Sequence, residues 1–420
     1  MTEAAPIRVT HLVGSPQDTG AGRGAYRLHC SLEELGVASH FVMRGGQAPT
    51  KSVTSLHGQP WRRVALALGG LIDSLPLRFY SKRRPGFFST AIAGIPIGSL
   101  LTGRDADIVH LHWMGDGFLS VGQVAAMRRP LVWTMRDMWP FTGGCHYTVG
   151  CERYFDGCGQ CPILGSEHTA DLSRFNAWRK MGFRKERIRL VAISSWLAEC
   201  AARSAVFRDW PITVIPNSVD TRLYRPIDKY IARRVLGLQE DAVIVAFGAV
   251  SVGDVRKGAA YLADAMRKLQ GTKVQYLVFG KGGSHLRALV GDLEGRIHFL
   301  GSLQDDISLM LAYAAADTFV APSTQEAFGK TIIEAMACGR PVVAFDATGP
   351  KDIIAHGSDG YLAKLFDAED LVQGILWVVD PVRNTSLGNA ARDKACLHYD
   401  DVIIAKRYLT LYEDILNKPA

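Results

Sequence analysis

No apolar run in these 420 residues reaches the roughly 18–20 positions of a membrane-spanning helix, so an integral helical membrane protein is excluded. Proline is sparse at 18 residues, and the 42 glycines follow no three-residue period, which excludes a collagen-like fibre. Low-complexity tracts and short internal repeats are missing as well. So is the charged-then-apolar layout of a secretion signal, because Met1 to Gly14 read directly into a strand. That absence makes the cytoplasm the expected location. With 48% hydrophobic and 21% charged residues the chain is too apolar to stay disordered. Its length suits two domains, or three small ones.

Acidic charge is short in one half only. Up to Leu223 there are 26 Lys and Arg against 17 Asp and Glu, and from Tyr224 onward 22 against 24. The net charge of +7 therefore resides entirely in the first half. Basic surface attracts anionic lipid, phosphorylated substrates or nucleic acid, and charge alone does not choose among them. The densest patch is Pro76 to Phe88, where Arg78, Lys82, Arg83 and Arg84 alternate with aromatic residues after an apolar run from Trp61 to Leu75. Rings at headgroup level and cations on lipid phosphates suit peripheral docking on an anionic membrane, such as the inner face of the cell membrane. A solvated basic loop beside a packed helix suits the same residues. No RNA- or DNA-binding motif accompanies the patch, so nucleic acid is not expected as a partner.

Of eight cysteines, four crowd into one short stretch: Cys145, Cys151, Cys158 and Cys161, spaced C-x5-C-x6-C-x2-C and followed by Pro162. Without a secretion signal, reduced thiols or a metal are favoured over disulfides. Four thiolates suit a structural tetrahedral Zn²⁺, an iron–sulfur cluster suits them too, and four plain thiols remain the simpler reading. His146 is a substitute ligand in such a set.

Short Val/Ile-rich segments recur with helical stretches between them. In the first half they are Ile7–Val13, Ser39–Met43, Asp107–Trp113, Leu131–Met135, Ile188–Ile193 and Ile212–Ile215. In the second they are Ala242–Phe247, Val274–Phe279, Ile297–Leu300, Thr318–Ala321 and Pro341–Phe345. Apolar throughout rather than alternating, they read as strands buried on both faces of a parallel sheet. The expected fold class is α/β, with two Rossmann-like, doubly wound parallel-sheet domains facing a cleft and ligands at the carboxyl ends of the strands. The turn-rich stretch Pro216 to Pro226 separates the series, giving domains 1–223 and 224–397. Residues 398–420 end in a helix with Ile404, Tyr408, Leu411 and Ile415 on one stripe.

The segment richest in chemistry is Pro322 to Pro341, P-S-T-Q-E-A-F-G-K-T-I-I-E-A-M-A-C-G-R-P. A strand ends, a polar loop follows, and a helix opens around Phe328–Lys330. The free amides of a helix start, with the dipole behind them, form an anion site suited to a diphosphate. Lys330 adds charge in the first turn, and Glu334 lies one turn on along the same face.

Glu326 and Glu334, seven residues apart within this segment, resemble the E-x7-E signature of retaining GT-B glycosyltransferases, most closely the large family 4. V-I-P-N-S-V-D-T at 214–221 resembles that family's hinge, and Arg256-Lys257-Gly258 its phosphate-binding motif. V-H-L-H-W at 109–113 and D-M-W-P-F-T-G-G-C-H-Y at 137–147 are similar to exopolysaccharide and colanic-acid-type transferases. The resemblance implies sugar transfer from a nucleotide-sugar to a lipid-linked or saccharide acceptor, with retention and without a catalytic metal, in bacterial surface polysaccharide synthesis. It implies an acceptor domain first, a donor domain second, and a last helix packed back on the first.

By the same resemblance Glu326 and Arg136 are the catalytic residues. Gly22, Arg256, Lys257, Phe328, Gly329, Lys330, Thr331 and Glu334 bind the donor, and His112, Asp137 and His146 lie on the acceptor side. The chain departs from the pattern at Arg136, where relatives commonly carry histidine, and at Ala249, where many carry arginine. An arginine donates hydrogen bonds but serves as neither acceptor nor base near pH 7. Two other functions suit parts of the sequence. A non-catalytic sugar-nucleotide-binding subunit keeps the fold without turnover. An NADP-dependent oxidoreductase is suggested by the glycine loop from Gly20 to Ala25 with Arg44 ending the next strand, but five residues separate that loop from its strand, whereas the dinucleotide fingerprint follows directly.

Overall fold

Strands with no polar face have to be covered on both sides, and in the computed structural model, which describes residues 5–16, 19–98 and 106–417, helices supply that cover. The chain forms two units: Met1–Pro216 with Ala405–Ala420, and Asn217–Ile404. The first holds β1 (Arg8–Val13), β2 (Ala38–Met43), β3 (Val53–Ser55), β4 (Ile108–Leu111), β5 (Leu131–Met135), β6 (Ile188–Ala192) and β7 (Ile212–Val214). They pair in parallel in the order β3-β2-β1-β4-β5-β6-β7. The second holds β8 (Val243–Ser251), β9 (Val274–Lys281), β10 (Ile297–Gly301), β11 (Thr318–Ala321), β12 (Val342–Phe345) and β13 (Gly360–Ala363), in the order β10-β9-β8-β11-β12-β13. In each sheet the order reverses beside the first strand, between β1 and β4 and between β8 and β11. The loops leaving those strands diverge there and leave room for a ligand.

β4, β5, β11 and β12 are buried along their whole length, as their composition requires. Two strands carry no apolar run and escape the sequence pattern. β3 is three residues, Val-Thr-Ser, and β13 is Gly-Tyr-Leu-Ala; both are half-buried edges held by one neighbour each. β4 ends at Leu111, short of the expected Trp113, although the main chain stays bonded to the neighbouring segment there, with His112 N donating to Leu12 O at 3.1 Å and Gly14 N to Trp113 O at 2.7 Å. The last helix, Asp401–Leu416, buries Ile404, Ala405, Tyr408 and Tyr412, while Leu411 and Ile415 are only half-buried. Tyr412 holds its buried place because its hydroxyl bonds His110 Nδ1 at 2.7 Å.

The glycines at 20–25 do not form a loop. A helix spans Gly20–Glu34, and Thr19 caps it by accepting the Gly22 amide at 3.1 Å. Gly22 is therefore buried inside the first helical turn.

Candidate active site

In the second unit the loops leaving β8, β11 and β12 are tied into one edge. Asp254 accepts the Arg256 amide at 3.1 Å and turns the chain through a short 3-10 helix, Val255–Lys257, to Gly258. Gly258 has φ +72°, and a Cβ there would lie 1.8 Å from the Pro322 carbonyl oxygen, so only glycine lets the two loops approach. Thr324 N then donates to Arg256 O at 2.8 Å. From the third loop, Thr348 Oγ1 accepts the Glu326 amide at 3.1 Å, and Gly349 N donates to Glu326 O at 2.9 Å.

Six charged side chains gather on this scaffold in three pairs. Lys257 Nζ pairs with Glu326 Oε2. Arg256 reaches Asp254 Oδ2 at 2.5 Å and the Gln325 carbonyl at 3.3 Å. A second left-handed glycine, Gly329 (φ +115°), opens the helix Lys330–Ala337, so Phe328, Gly329, Lys330 and Thr331 surround its start. Glu334 is buried, with Oε1 3.6 Å from Lys330 Nζ and Oε2 accepting from Tyr313 OH at 2.9 Å. Burial, and then the charge of Glu334, push the Tyr313 phenol well above its ordinary pKa, so the phenol stays a donor. The Lys330–Glu334 pair is therefore inside the fold rather than on a solvated face. Tyr313 is a site residue that the sequence pattern does not flag, since it sits mid-helix in an apolar run.

In the first unit, side chains at the carboxyl ends of β1, β4 and β5 build two polar networks. Arg136 Nη2 lies 3.2 Å from His112 Nδ1, and His112 Nε2 lies 3.0 Å from His11 Nδ1. His110 contacts Thr134 Oγ1 at 2.7 Å, and Thr134 contacts Tyr408 OH at 2.9 Å. Burial drives His11, His110 and His112 well below the usual histidine pKa, with neighbouring charge adding to it, so all three are neutral. The arginine is the cation among them. Ligand atoms of the three histidines lie within 4.8 Å of one another, the one such set among the described residues. Both nitrogens of His110 and of His112 are already engaged and the guanidinium stands beside them, so the set does not suit a metal ion.

The second network runs Asp137–His146–Ser89. His146 Nδ1 is 2.7 Å from Asp137 Oδ2, and its Nε2 is 2.9 Å from Ser89 Oγ. Its ring stacks on Trp113 at 5.3 Å. Asp137 also accepts the Trp139 amide at 2.9 Å. Bound this way, His146 is not a fifth member of the cysteine set. Ser89 is the second residue that sequence reasoning missed, in a segment with no recognisable motif. Arg44 donates to the Asp116 carbonyl at 2.8 Å and pairs with its carboxylate. With Gly22 capped, that pairing leaves the dinucleotide reading without its expected phosphate contacts.

Cys145, Cys151, Cys158 and Cys161 carry free thiols and line one cavity. Burial pushes the Cys158 thiol up to about 12 and that of Cys145 further.

Two family models match the chain: Glycosyltransferase Family 4 over residues 19–223, and Glycosyl transferases group 1 over residues 241–380. Among curated relatives, a phosphatidyl-myo-inositol mannosyltransferase of Mycolicibacterium smegmatis is 28% identical over 319 residues, covering 74% of this chain and 72% of the relative. An N,N'-diacetylbacillosaminyl-diphospho-undecaprenol alpha-1,3-N-acetylgalactosaminyltransferase of Campylobacter jejuni is 37% identical over 124 residues, 29% of this chain and only 32% of that relative's length. Among solved structures, sucrose-phosphate synthase from Thermosynechococcus elongatus superposes with a TM-score of 0.71 at 20% identity, covering 97% of this chain and 99% of that one. The Anabaena protein Alr3699/HepE, solved with UDP and glucose, gives 0.67 at 19%, covering 97% and 99%. These neighbours share the GT-B fold, and the two parallel sheets described above are its two Rossmann-like domains. The two family models between them take in most of both units, and the chain belongs to the group 1, family 4 glycosyltransferases.

Proposed function

We propose that the chain transfers a sugar from a nucleotide-sugar, with retention at the anomeric carbon, to a lipid-linked or saccharide acceptor in surface polysaccharide synthesis. One observation carries the reading: the loops after β8, β11 and β12 hold Arg256, Lys257 and Lys330 beside Glu326 and Glu334 at a single sheet edge. The leaving group is a nucleoside diphosphate whose charge grows as the glycosidic bond breaks. Fixed cations and helix-start amides stabilise that growing charge more than the ground state. Lys257 and Arg256, now paired with carboxylates, exchange those partners for the diphosphate. Glu334, steadied by Tyr313, takes the ribose hydroxyls, and Glu326 faces the donor sugar. Arg136 donates to a sugar hydroxyl or a phosphate and takes no proton. His112, Asp137 and His146 attend the acceptor. Incubation with a panel of nucleotide-sugars is expected to give a product with the donor's anomeric configuration, read by proton NMR. An inverted product excludes the retaining reading.

The acceptor comes from a membrane. Along the helix Pro60–Ser74 and just beyond it, Trp61, Val64, Leu68, Leu71 and Leu75 form one stripe, and all are exposed. Phe79 and Phe87 follow at 89% and 80% exposure. Arg63, Arg78, Lys82, Arg83 and Arg84 flank them in solvent, while the single acidic residue there, Asp73, is buried against Thr90. The helix is thus packed on one side only. An apolar stripe with a cationic rim suits an anionic bilayer, each cation contributing about 1 kcal/mol near the surface. No described helix is long and apolar enough to cross a membrane. The names of the two curated relatives, one acting on a phosphatidylinositol and one on an undecaprenol-linked sugar, support a lipid acceptor. The protein is expected to float with anionic vesicles and not with neutral ones, and K82E/R83E/R84E to lose flotation. Equal flotation with both vesicle types removes the electrostatic part of the proposal.

A further inference from the structure

Residues 142–171 run between two helical segments with a single 3-10 turn, Arg153–Asp156, as their regular structure. Irregular connections of this length are uncommon unless something ties them down. Apolar packing does little here: the local cluster is Leu77, Phe88, Ile163 and Leu164 with Cys145 and Cys161. The backbone also enters the left-handed region at the non-glycine residues Val149, Cys158 and Gln160, which opposes order. No disulfide closes the segment, since all four cysteines are free.

Three observations meet at these cysteines. Their thiols line one cavity of about 20 Å³, together with Phe88 and Tyr154. A backbone N–H group points at one of the sulfurs: Gly143 N donates to Cys158 Sγ at 3.1 Å. Such a contact orients a ligating sulfur. Beside them Lys180 is fully buried. Its ammonium donates to the Trp139 and Thr142 carbonyls and forms no ion pair with a carboxylate among the described residues. Burial pulls the Lys180 ammonium down to about 7, so it keeps its proton firmly only if negative charge stands beside it.

We propose that Cys145, Cys151, Cys158 and Cys161 bind one structural Zn²⁺ as four thiolates. Each thiol releases its proton to solvent on binding, and Zn–S distances of about 2.3 Å fit a tetrahedral site. The centre carries two net negative charges, and Lys180 answers one of them. The thiol side chains line the cavity as they stand, and binding requires the remaining sulfurs to turn in towards the ion. The metal staples the loop and takes no part in sugar transfer, so the proposal stands apart from the reaction assigned above.

Elemental analysis of the full chain, purified without chelator, is expected to find about one zinc per chain and no stoichiometric iron. C158S/C161S is expected to lower zinc at least tenfold. Where that variant fails to fold, the wild type still decides: stripping the metal with a chelator is expected to make four further cysteines reactive to a thiol reagent. Less than a tenth of an equivalent of zinc, stoichiometric iron, or zinc retained by the double variant overturns the proposal.

Discussion

Glu326→Ala is expected to lower kcat by on the order of 10²–10³-fold while nucleoside diphosphate binding survives. Glu326 is tied to the loops on either side: Lys257 pairs with its carboxylate Oε2, Thr348 Oγ1 accepts its backbone amide, and Gly349 N donates to its backbone carbonyl. The last two contacts are main-chain and persist in the variant, so the loops keep their places. On the proposed reading, what disappears is one negative charge beside the donor sugar, whose reacting carbon becomes positive as the bond to phosphate breaks. Losing one such preorganised charge costs about 3–4 kcal/mol in the transition state. Lys257, relieved of its partner, is more available to the diphosphate, so affinity for the nucleotide is unchanged or tighter. Steady-state rates alongside calorimetric titration with nucleoside diphosphates separate these effects. Wild-type turnover by the variant removes Glu326 from catalysis. A wild-type chain that binds nucleotide but turns over no donor is the non-catalytic subunit instead.

The second large effect is on stability against acid. His11, His110 and His112 are buried and neutral in the folded chain, each with its pKa held well below 6.5. In the unfolded chain each takes a proton as the pH falls through about 6.5. Below that pH the unfolded state binds more protons than the folded one, so stability falls with falling pH and is level above about 7. Each histidine contributes about 1.4 kcal/mol per pH unit, so the three together lower stability by about 4 kcal/mol per unit below pH 6.5. The loss continues until the folded pKa values are reached. Arg136 sharpens the effect, because its charge adds to burial in opposing protonation of all three. Urea unfolding between pH 7.5 and 5 reads it, and His110→Gln, which keeps a polar partner for Thr134 or Tyr412, is expected to lower the slope by about a third. An unchanged slope in that variant counts against the histidine origin.

Much of the cluster around Glu326 was legible because its residues are local in sequence. Glu326, Gly329, Lys330 and Glu334 lie within one strand–loop–helix unit, where residue spacing already decides which side chains share a face. The Gly20–Ala25 stretch misled because glycine serves both a loop and the first turn of a helix, and the cap from Thr19 decides between them. Tyr313 and Ser89 were invisible for a different reason. Each is defined by a partner far along the chain, Glu334 and His146, and neither lies in a motif.

The sequence alone determined the two parallel sheets, because strands apolar along their whole length can be buried only between two layers of helices. It also determined the family, through Glu326 and Glu334, and the basic first half. Edge strands β3 and β13 needed the tertiary structure, since too few of their residues are buried to leave a pattern. So did the use of each polar group. Composition did not tell a solvated Lys330–Glu334 pair from one sealed inside the fold, nor an inward-facing Trp61–Leu75 helix from one with its apolar stripe in solvent. Burial is a property of what packs alongside, and only the folded chain brings those neighbours together.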